Sequence, residues 1–201
     1  MEITRDHRNL SVDWESADPA ERILATARRL FYAQGFPTTG INQIIAESAA
    51  SKKSFYRYFP AKDDLGSAYL EAEKEDFITL FGKLQRKYPE YAAFVRAWCF
   101  ILKKETSCGR YHGCPFGNFA SQTGGAGDFR PLLQDVIQAW REILERQLRQ
   151  GRPAFPEETI LRNVDRILML YEGAVQLWKI TGEAAYFDRL EEELLAIGRL
   201  E

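Results

Sequence analysis

Six side chains able to contact a phosphate or a base edge lie within one stretch of seven residues in this 201-residue chain. They are Lys52, Lys53, Ser54, Tyr56, Arg57 and Tyr58. No acidic residue occurs between Ser48 and Lys62. Lysine, arginine and hydroxyl side chains are the groups that contact the phosphates and the base edges in the major groove of DNA. The stretch therefore predicts a surface that binds DNA.

The residues before and within this stretch predict a short helix, a tight turn and a second short helix. Apolar residues at helical spacing predict the first of these over residues 41–48, with Thr38 and Thr39 as hydroxyl caps. Ala49-Ala50 predicts a turn with little side-chain bulk, so two helices can cross closely there. Ser51 is the expected cap of the second short helix.

Longer helices are predicted on both sides of this pair. Asp18-Pro19-Ala20-Glu21 combines an N-cap, a proline in the first turn and a capping-box glutamate, and Gly35 is expected to close that helix. Pro60 is expected to end the second short helix. A long helix then begins at Lys62 and is expected to reach Lys87.

The remainder of the chain is helical in its periodicity, and no strand pattern or internal repeat occurs. Helices are expected over residues 91–106, 114–122, 128 or 130 to 150, 157–181 and 183–199. The predicted fold class is all-α with about nine helices. We expect a flexible arm over residues 1–17, a helix-turn-helix DNA-binding domain over 18–66, and a helical domain for ligand binding and dimerisation over 67–201.

The composition limits the class of protein. Hydrophobic residues form 45% of the chain, which is enough for a packed core, and the formal net charge is −2. Residues 18–66 nevertheless contain seven Lys or Arg against five Asp or Glu, so the predicted DNA-binding part is net positive. No apolar run predicts a membrane span, and the N-terminus lacks the apolar segment of a secretory signal. Three cysteines, an odd count, favour a reduced, cytoplasmic protein.

Residues 19–66 resemble the N-terminal domain of TetR-family transcriptional regulators. The matching patterns are ILATARRLFYAQGF and TTGINQIIAESAASKKSFYRYFPAKDDL, and the most diagnostic part is S-K-x-S-aromatic-Y-x-x-F-x-x-K. The chain departs from the family pattern at Lys53, where the family usually has Gly or Ala, and at Tyr58, where it often has His or Asn.

The resemblance implies a helix-turn-helix that contacts DNA through Thr38, Thr39, Ser51, Lys52, Lys53, Ser54, Tyr56, Tyr58 and Lys62. It also implies a homodimer on a palindromic operator of double-stranded DNA, with the two recognition helices about 34–36 Å apart. The implied function is that of a repressor released from its operator by a small-molecule inducer. For Lys52 or Lys53 taken alone, the alternative is an ordinary solvated surface charge.

A second, shorter resemblance covers Gly113–Ala120, which is similar to a G-C-x-x-G-N-x-A segment found in one subset of the family. Members of that subset control efflux or detoxification genes, and some respond to electrophiles through a cysteine. Cys114 is therefore a candidate redox sensor, with Cys108 as its candidate resolving thiol, and a regulator switched by modification of Cys114 is the alternative function. The competing interpretation of Cys114 is a small buried packing residue, which is also what we expect of Cys99.

Two further chemistries would use the same region. A zinc site formed by Cys108, His112 and Cys114 would have only three candidate ligands and no familiar spacing. A Cys–His enzyme using Cys114 and His112 would lack an orienting carboxylate, and the chain has no hydrolase, metalloprotease, phosphate-loop or dinucleotide motif. We therefore expect no metal site, no cofactor and no catalytic residue.

Aromatic residues form 13% of the chain, and many of them lie beyond residue 90. Ligand pockets are mostly apolar with a few polar groups, so the inducer is expected to be apolar or aromatic. The ligand-binding candidates are Trp98, Phe116, Asn118, Trp140 and Tyr171. Packing in the core or in a dimer interface is the alternative for each aromatic residue among them. The two strongly apolar segments, residues 130–150 and 157–181, are the candidates for the homodimer interface.

Overall fold

A computed structural model describes residues 16–124, 129–151 and 155–198, and all regular secondary structure in these ranges is helical. The helices are α1 (Pro19–Gln34), α2 (Ile41–Glu47), α3 (Lys52–Tyr58), α4 (Lys62–Lys87), α5 (Tyr91–Ser107), α6 (Pro115–Gln122), α7 (Arg130–Gly151), α8 (Glu157–Thr181) and α9 (Ala185–Ile197). The prediction of an all-α fold with about nine helices is confirmed. The expected N-terminal arm lies almost entirely outside the described residues.

Local signals in the sequence explain where most helices begin and end. At the start of α1, Asp18 accepts a hydrogen bond from the Ala20 N–H at 2.8 Å, and Glu21 accepts one from the Asp18 N–H at 3.2 Å. This is the predicted capping box. Gly182 ends α8 with a left-handed backbone (φ +76°), which glycine adopts without steric cost. α4 and α8 have the predicted bounds.

The start of α9 differs from the prediction by two residues. The preceding turn is closed by bonds from the Tyr186 N–H to the Glu183 carbonyl and from the Phe187 N–H to the Ala184 carbonyl. Both bonds span three residues, so this segment is wound more tightly than an α-helix. The regular helix therefore begins at Ala185.

The first compact unit consists of the chain up to Asp76 together with Pro115–Asp135. Its interior is formed by apolar side chains of α1 to α4 and α6, including Ile23, Leu30, Phe31, Ile44, Phe55, Leu65, Tyr69 and Phe119. One charged cluster lies among them. Arg28 donates to Glu73 at 3.0 Å and to Asp76 at 2.5 Å, which ties α1 to α4. Burial alone would lower the pKa of Arg28, but the two carboxylates more than offset it and raise that pKa.

The second compact unit consists of Phe77–Cys114 together with the chain from Val136 onward. α9 packs against both α5 and α8. Lys103 of α5 forms ion pairs with Asp188 and Glu191 of α9 at 2.9 and 2.7 Å. Deeper in the unit, the Tyr91 hydroxyl donates to the Leu194 carbonyl at 3.0 Å. A polar and an ionic connection thus hold α9 beside α5.

The compact units describe packing, whereas the domain limits expected from the sequence (18–66 and 67–201) describe function, so those limits stay a prediction. α4 contributes its first part to the first unit and its last part to the second. None of the helices in the described ranges combines the length and the apolar character needed to cross a lipid bilayer.

Candidate nucleic-acid interface

The structure of α3 depends on one cap and one anchor. The Ser54 N–H donates to the Ser51 hydroxyl oxygen at 3.0 Å, and the two hydroxyls lie 2.9 Å apart, so the prediction that Ser51 caps this helix is confirmed. Phe55 is completely buried in the first unit. A helix of seven residues has little stability of its own, so this cap and this anchor are what hold it in place.

The opposite side of α3 is open to solvent. Lys52, Lys53 and Arg57 are exposed, and the Tyr56 side chain is 43% exposed. The Tyr56 ring stands edge-on to Phe55 at 5.3 Å between centroids, which restricts its direction. Within the described part of the chain, no carboxylate lies at ion-pair distance from Lys52 or Lys53. α3 therefore presents two ammonium groups, neither of them paired with a carboxylate of the described residues, and a phenol on one surface.

The turn between α2 and α3 is tight, as predicted for Ala49-Ala50. Ala49 has φ +51°, which places an L-residue in the left-handed region where its Cβ is crowded. The Ala50 N–H donates to the Ile45 carbonyl at 3.3 Å and closes the turn. A small side chain tolerates this backbone better than a branched one would.

Thr38 and Thr39 do not have the predicted capping role. α2 begins after Gly40, and no side chain caps it. Both threonine hydroxyls instead donate to the Gly35 carbonyl, at 3.1 Å from Thr38 and 2.7 Å from Thr39, and the Thr38 hydroxyl also donates to the Gln34 carbonyl at 2.5 Å. The end of α1 leaves carbonyls without helical partners, and these hydroxyls satisfy those of Gln34 and Gly35. Thr38 is exposed, whereas Thr39 is 0% exposed. The Thr39 side chain is thus an internal support of the loop.

Tyr58 and Lys62 also make contacts within the protein. The Tyr58 hydroxyl donates to Asp18 at 3.4 Å, at the start of α1. The Lys62 ammonium lies 4.6 Å from the centre of the Phe36 ring and donates to the Pro37 carbonyl at 3.3 Å. Desolvation lowers the pKa of Lys62, and the charge of Asp63 opposes this change. The start of α4 thus carries a cation held against the loop that follows α1.

Three of the five ligand candidates come together in the second unit. The Trp140 ring lies 6.4 Å from Trp98 and 4.8 Å from Tyr171 between centroids, and Trp98 lies 5.3 Å from Tyr171. All three are buried. Phe116 and Asn118 are buried as well, but they belong to α6 in the first unit. The structure therefore groups the tryptophans with Tyr171 and places the other two candidates in a different unit.

An open cleft in the second unit contains none of these candidates. Its volume is about 610 Å³. It is lined by Gly82, Gln85, Arg86, Pro89, Glu90, Arg146 and Gln150. This lining is largely polar and carries no aromatic side chain, so the cleft does not match the apolar pocket expected from the sequence.

The three cysteines, all within the described residues, form no disulfide and differ in their surroundings. Cys99 is in the core, as predicted, and burial raises its pKa to about 12. Cys108 is exposed, whereas Cys114 is only 2% exposed. Burial raises the pKa of Glu172, and hydrogen bonding by the Cys114 thiol and the positive charge of Lys179 partly oppose this rise. Among the residues that the structure describes, no three His, Cys, Asp or Glu side chains form a metal-binding cluster.

Two contacts of the DNA-facing region were not predictable from local patterns. The Phe36 N–H donates to the Gln122 side chain across 86 residues of sequence, and Arg28 pairs with Glu73 across 45. Gln122 lies at the end of a short helix rich in small residues, and nothing in its spacing indicates a partner. Arg28 lies on the apolar side of α1, and a cation at such a position indicates a buried acidic partner without identifying it.

Comparisons with known proteins agree with this geometry. A family model for bacterial regulatory proteins of the tetR family matches residues 23–69. The HTH-type transcriptional regulator YxaF of Bacillus subtilis is 33% identical over 171 residues, which cover 80% of this chain and 84% of YxaF. The HTH-type transcriptional regulator LmrA of the same organism is 32% identical over 136 residues, covering 66% of this chain and 72% of LmrA.

Solved structures show the same fold. SCO4454, a TetR-family transcriptional regulator from Streptomyces coelicolor, superimposes with a TM-score of 0.79 at 22% identity, covering 90% of this chain and 94% of that one. The reduced form of NemR from Escherichia coli gives a TM-score of 0.77 at 22% identity, covering 90% and 97%. These relatives and neighbours are regulators, and none of them is named as an enzyme of the Cys–His type considered from the sequence. The chain is therefore a DNA-binding transcriptional regulator with a helix-turn-helix, and it belongs to the TetR family.

Proposed function

We propose that this protein is a repressor that binds a palindromic operator as a homodimer, in the bacterial cytoplasm, and leaves it when a small molecule binds. The observation that carries the DNA-binding part is the exposed face of α3. Lys52, Lys53 and Tyr56 point to solvent there, on a helix held by Ser51 and Phe55. A short helix with free cations and a phenol near its start has the chemistry and the size to enter the major groove.

The remaining predicted contacts divide into direct and supporting ones. Ser51, Ser54 and Thr38 are close to helix starts, where hydroxyls and backbone N–H groups can bind phosphates. Lys62 is the proposed phosphate contact at the start of α4. Thr39, being buried, supports the loop and contributes through the position of its neighbours.

The proposed homodimer is supported by an exposed apolar face on α8. Met169, Gly173, Leu177 and Ile180 follow one another at spacings of four, four and three residues, which places them on one side of the helix. Met169 is 68% exposed and Ile180 is 78% exposed. Apart from the backbone of α8 itself, no atom of the described residues would lie within 4 Å of a Cβ added at Gly173, so this face has room for a second helix. The sequence also predicts that α7 takes part in the homodimer interface, because of its apolar character, and this part stays a prediction.

The aromatic cluster in the second unit supports an apolar or aromatic inducer. The Trp140 indole N–H is buried and has no hydrogen-bond partner among the described residues. Buried donors nearly always have a partner, so a ligand with an acceptor atom near this group would satisfy it. Release from DNA requires that the inducer bind the non-DNA state more tightly than the DNA-bound state. α4 has residues in both units, and it is the proposed route by which binding of the inducer changes the affinity for DNA.

Selection of bound fragments tests the DNA-binding proposal. The purified full chain would be mixed with random and genomic DNA, and the bound fragments would be sequenced. We expect enrichment of an inverted repeat whose half-sites are centred about one helical turn apart, or a multiple of it. Enrichment without a shared sequence would contradict specific operator recognition, and enrichment of a single half-site would contradict the dimer.

Titration of small molecules tests the inducer. Operator binding would be followed by fluorescence anisotropy while planar aromatic compounds are added. In a Trp14→Phe/Trp178→Phe variant, which keeps Trp98 and Trp140, quenching of tryptophan emission would report occupancy of the cluster. A compound that quenches this emission should weaken operator binding. If no quenching compound weakens the binding, control through this cluster is wrong.

A thiol switch is the second candidate, because Cys114 lies directly before α6, in the segment resembling the G-C-x-x-G-N subset, and the start of a helix favours a thiolate. Since Cys114 is buried, a reagent would reach it only when the surrounding structure opens. Cys114→Ser should abolish any release of DNA by quinones or oxidants, whereas exposed Cys108→Ser should leave it unchanged unless Cys108 is the resolving thiol. An unchanged response in Cys114→Ser would remove this candidate.

A further inference from the structure

We infer that Gln122, at the end of α6, is a positioning residue for the loop Gly35–Thr39 and for Lys62, an inference that rests on the proposed DNA-binding function. Its side-chain oxygen accepts a hydrogen bond from the Phe36 N–H at 2.9 Å. This N–H follows the end of α1, and Gln122 supplies its acceptor.

The backbone at Gly35 is shaped to receive the Gln122 side chain. Gly35 has φ +99°, a conformation that L-residues rarely adopt, and a Cβ at this position would lie 3.0 Å from the Gln122 amide. The absence of a side chain at Gly35 thus lets the amide group lie directly against the main chain. The hydrogen bond and the close approach together fix the position of the loop Gly35–Thr39 against Gln122.

Packing against aromatic rings and the backbone of α4 also holds the Phe36 ring of this loop in place. Its centroid lies 4.7 Å from that of Phe119 and 5.6 Å from that of Phe129. On α4, a Cβ added at Gly66 would meet the Phe36 ring at 2.8 Å, so the ring packs directly on the helix backbone. Because the ring is enclosed by α4, α6 and the residue before α7, it cannot shift without moving one of them.

The groups proposed to contact or support DNA phosphates are bonded to this loop. The Lys62 ammonium lies over the Phe36 ring and bonds the Pro37 carbonyl. Thr38 and Thr39 both donate to the Gly35 carbonyl. α3, in contrast, has its own anchor in Phe55. Release of the Gln122 bond should therefore disturb the proposed phosphate contacts and leave the base-reading surface of α3 in place.

Three variants test this separation. Gln122→Met keeps the length of the side chain and removes the acceptor. Gln122→Glu keeps an acceptor oxygen. Ser121→Ala is the matched control, because Ser121 is the exposed neighbour whose hydroxyl bonds the Asn118 carbonyl of its own helix.

Amide hydrogen exchange of Phe36 measures the contact without DNA. We expect Gln122→Met to speed this exchange about three- to tenfold, as for the loss of one net hydrogen bond, and Gln122→Glu and Ser121→Ala to leave it near the wild-type rate. Gln122→Glu is examined by exchange alone, because its added negative charge would itself weaken DNA binding.

Anisotropy titrations at several salt concentrations measure the effect on DNA. Gln122→Met should weaken operator and random DNA by a similar factor, about three- to tenfold, and reduce the salt slope by up to about one. A general loss of stability would not change that slope in protein that remains folded. Unchanged Phe36 exchange, or an unchanged salt slope together with wild-type affinity, in Gln122→Met would overturn the inference.

The outcome for wild-type protein separates this inference from the proposed function. If the wild type selects no operator, the proposed function fails, and the DNA role of Gln122 fails with it, while the exchange of Phe36 still decides whether the contact exists. If the wild type binds its operator and Gln122→Met binds it equally well, only the positioning role fails.

Discussion

The surface of α3 and the aromatic interior of the second unit use similar residue types in opposite ways. On α3, Tyr56 is exposed to solvent beside two lysines, and Phe55 is turned inward and buried. In the second unit, Trp140 and Tyr171 are turned toward each other and are buried. The first arrangement leaves polar chemistry free for a partner, and the second uses its side chains chiefly for packing.

This difference explains why a DNA-binding surface could be inferred from the sequence, whereas a ligand-binding site could not. A binding surface depends on which side chains are exposed along a short helix, and their types and spacing are visible in the sequence. A ligand cavity depends on the space left after all side chains have packed, which no local pattern specifies. The following predictions, ordered by the size of the expected effect, separate the packing residues from the binding residues.

Trp140→Ala should have the largest effect, because it removes a buried ring that contacts Phe77, Trp98 and Tyr171. We expect the free energy of unfolding to fall by about 3–5 kcal/mol, measured by urea denaturation of the purified protein at fixed concentration. Lys53→Ala is the control and should change it by less than about 0.5 kcal/mol. A loss below about 1 kcal/mol for Trp140→Ala would mean that the cluster packs loosely and already holds space for a ligand.

Arg28→Met should destabilise the first unit by about 3 kcal/mol, because it leaves Glu73 buried without its cation. The double variant Arg28→Met/Glu73→Gln should recover part of that loss, because the unpaired buried charge is gone. Urea denaturation of the single and double variants measures both values. If the double variant is less stable than Arg28→Met, the cost arises from lost packing of the arginine and not from the unpaired carboxylate.

Lys62→Gln should weaken operator and random DNA by similar factors and lower the salt slope by about one, as expected for the loss of one phosphate contact. Anisotropy titrations over a range of salt concentrations provide the slope. The free energy of unfolding should change little, because the side chain is only partly buried. Loss of operator binding with normal random-DNA binding would instead assign Lys62 to base recognition.

Glu172→Gln should have the smallest effect, and its sign depends on pH. Because burial raises the pKa of Glu172, the wild type loses stability as pH rises from the ordinary carboxyl pKa through the raised value. The variant has no charge to bury, so its stability relative to wild type should be greater at pH 7 than at pH 4. Urea denaturation at the two pH values gives the difference. If the variant and the wild type differ in stability by the same amount at pH 4 and at pH 7, the Glu172 carboxylate is well solvated in the folded protein.

Local signals made much of the fold predictable. The capping box at Asp18, the Ser51 cap, and the bounds of α4 and α8 depend on residues within a few positions of each other. The same local reasoning failed for Thr38 and Thr39, since it could not reveal that the free carbonyl of Gly35 competes for their hydroxyls.

Long-range packing accounts for what the sequence did not reveal. Gln122 meets Phe36 only because α6 packs against the end of α1, and no residue near Gln122 indicates this. The ligand candidates were chosen by residue type, and packing then placed Phe116 in one unit and Trp98 in the other. Residue type thus predicted which side chains of α3 are exposed, and it was insufficient to predict how the interior side chains are grouped.

The ratio of operator affinity to random-DNA affinity in Tyr56→Ala tests most directly whether the exposed face of α3 reads DNA. We predict that operator binding weakens by about 1–3 kcal/mol while random-DNA binding and the free energy of unfolding stay within about 0.5 kcal/mol of wild type. Tyr56→Phe would separate the contribution of the hydroxyl from that of the ring. An unchanged ratio in folded Tyr56→Ala, with operator affinity equal to wild type, would contradict the assignment of this residue to the reading surface.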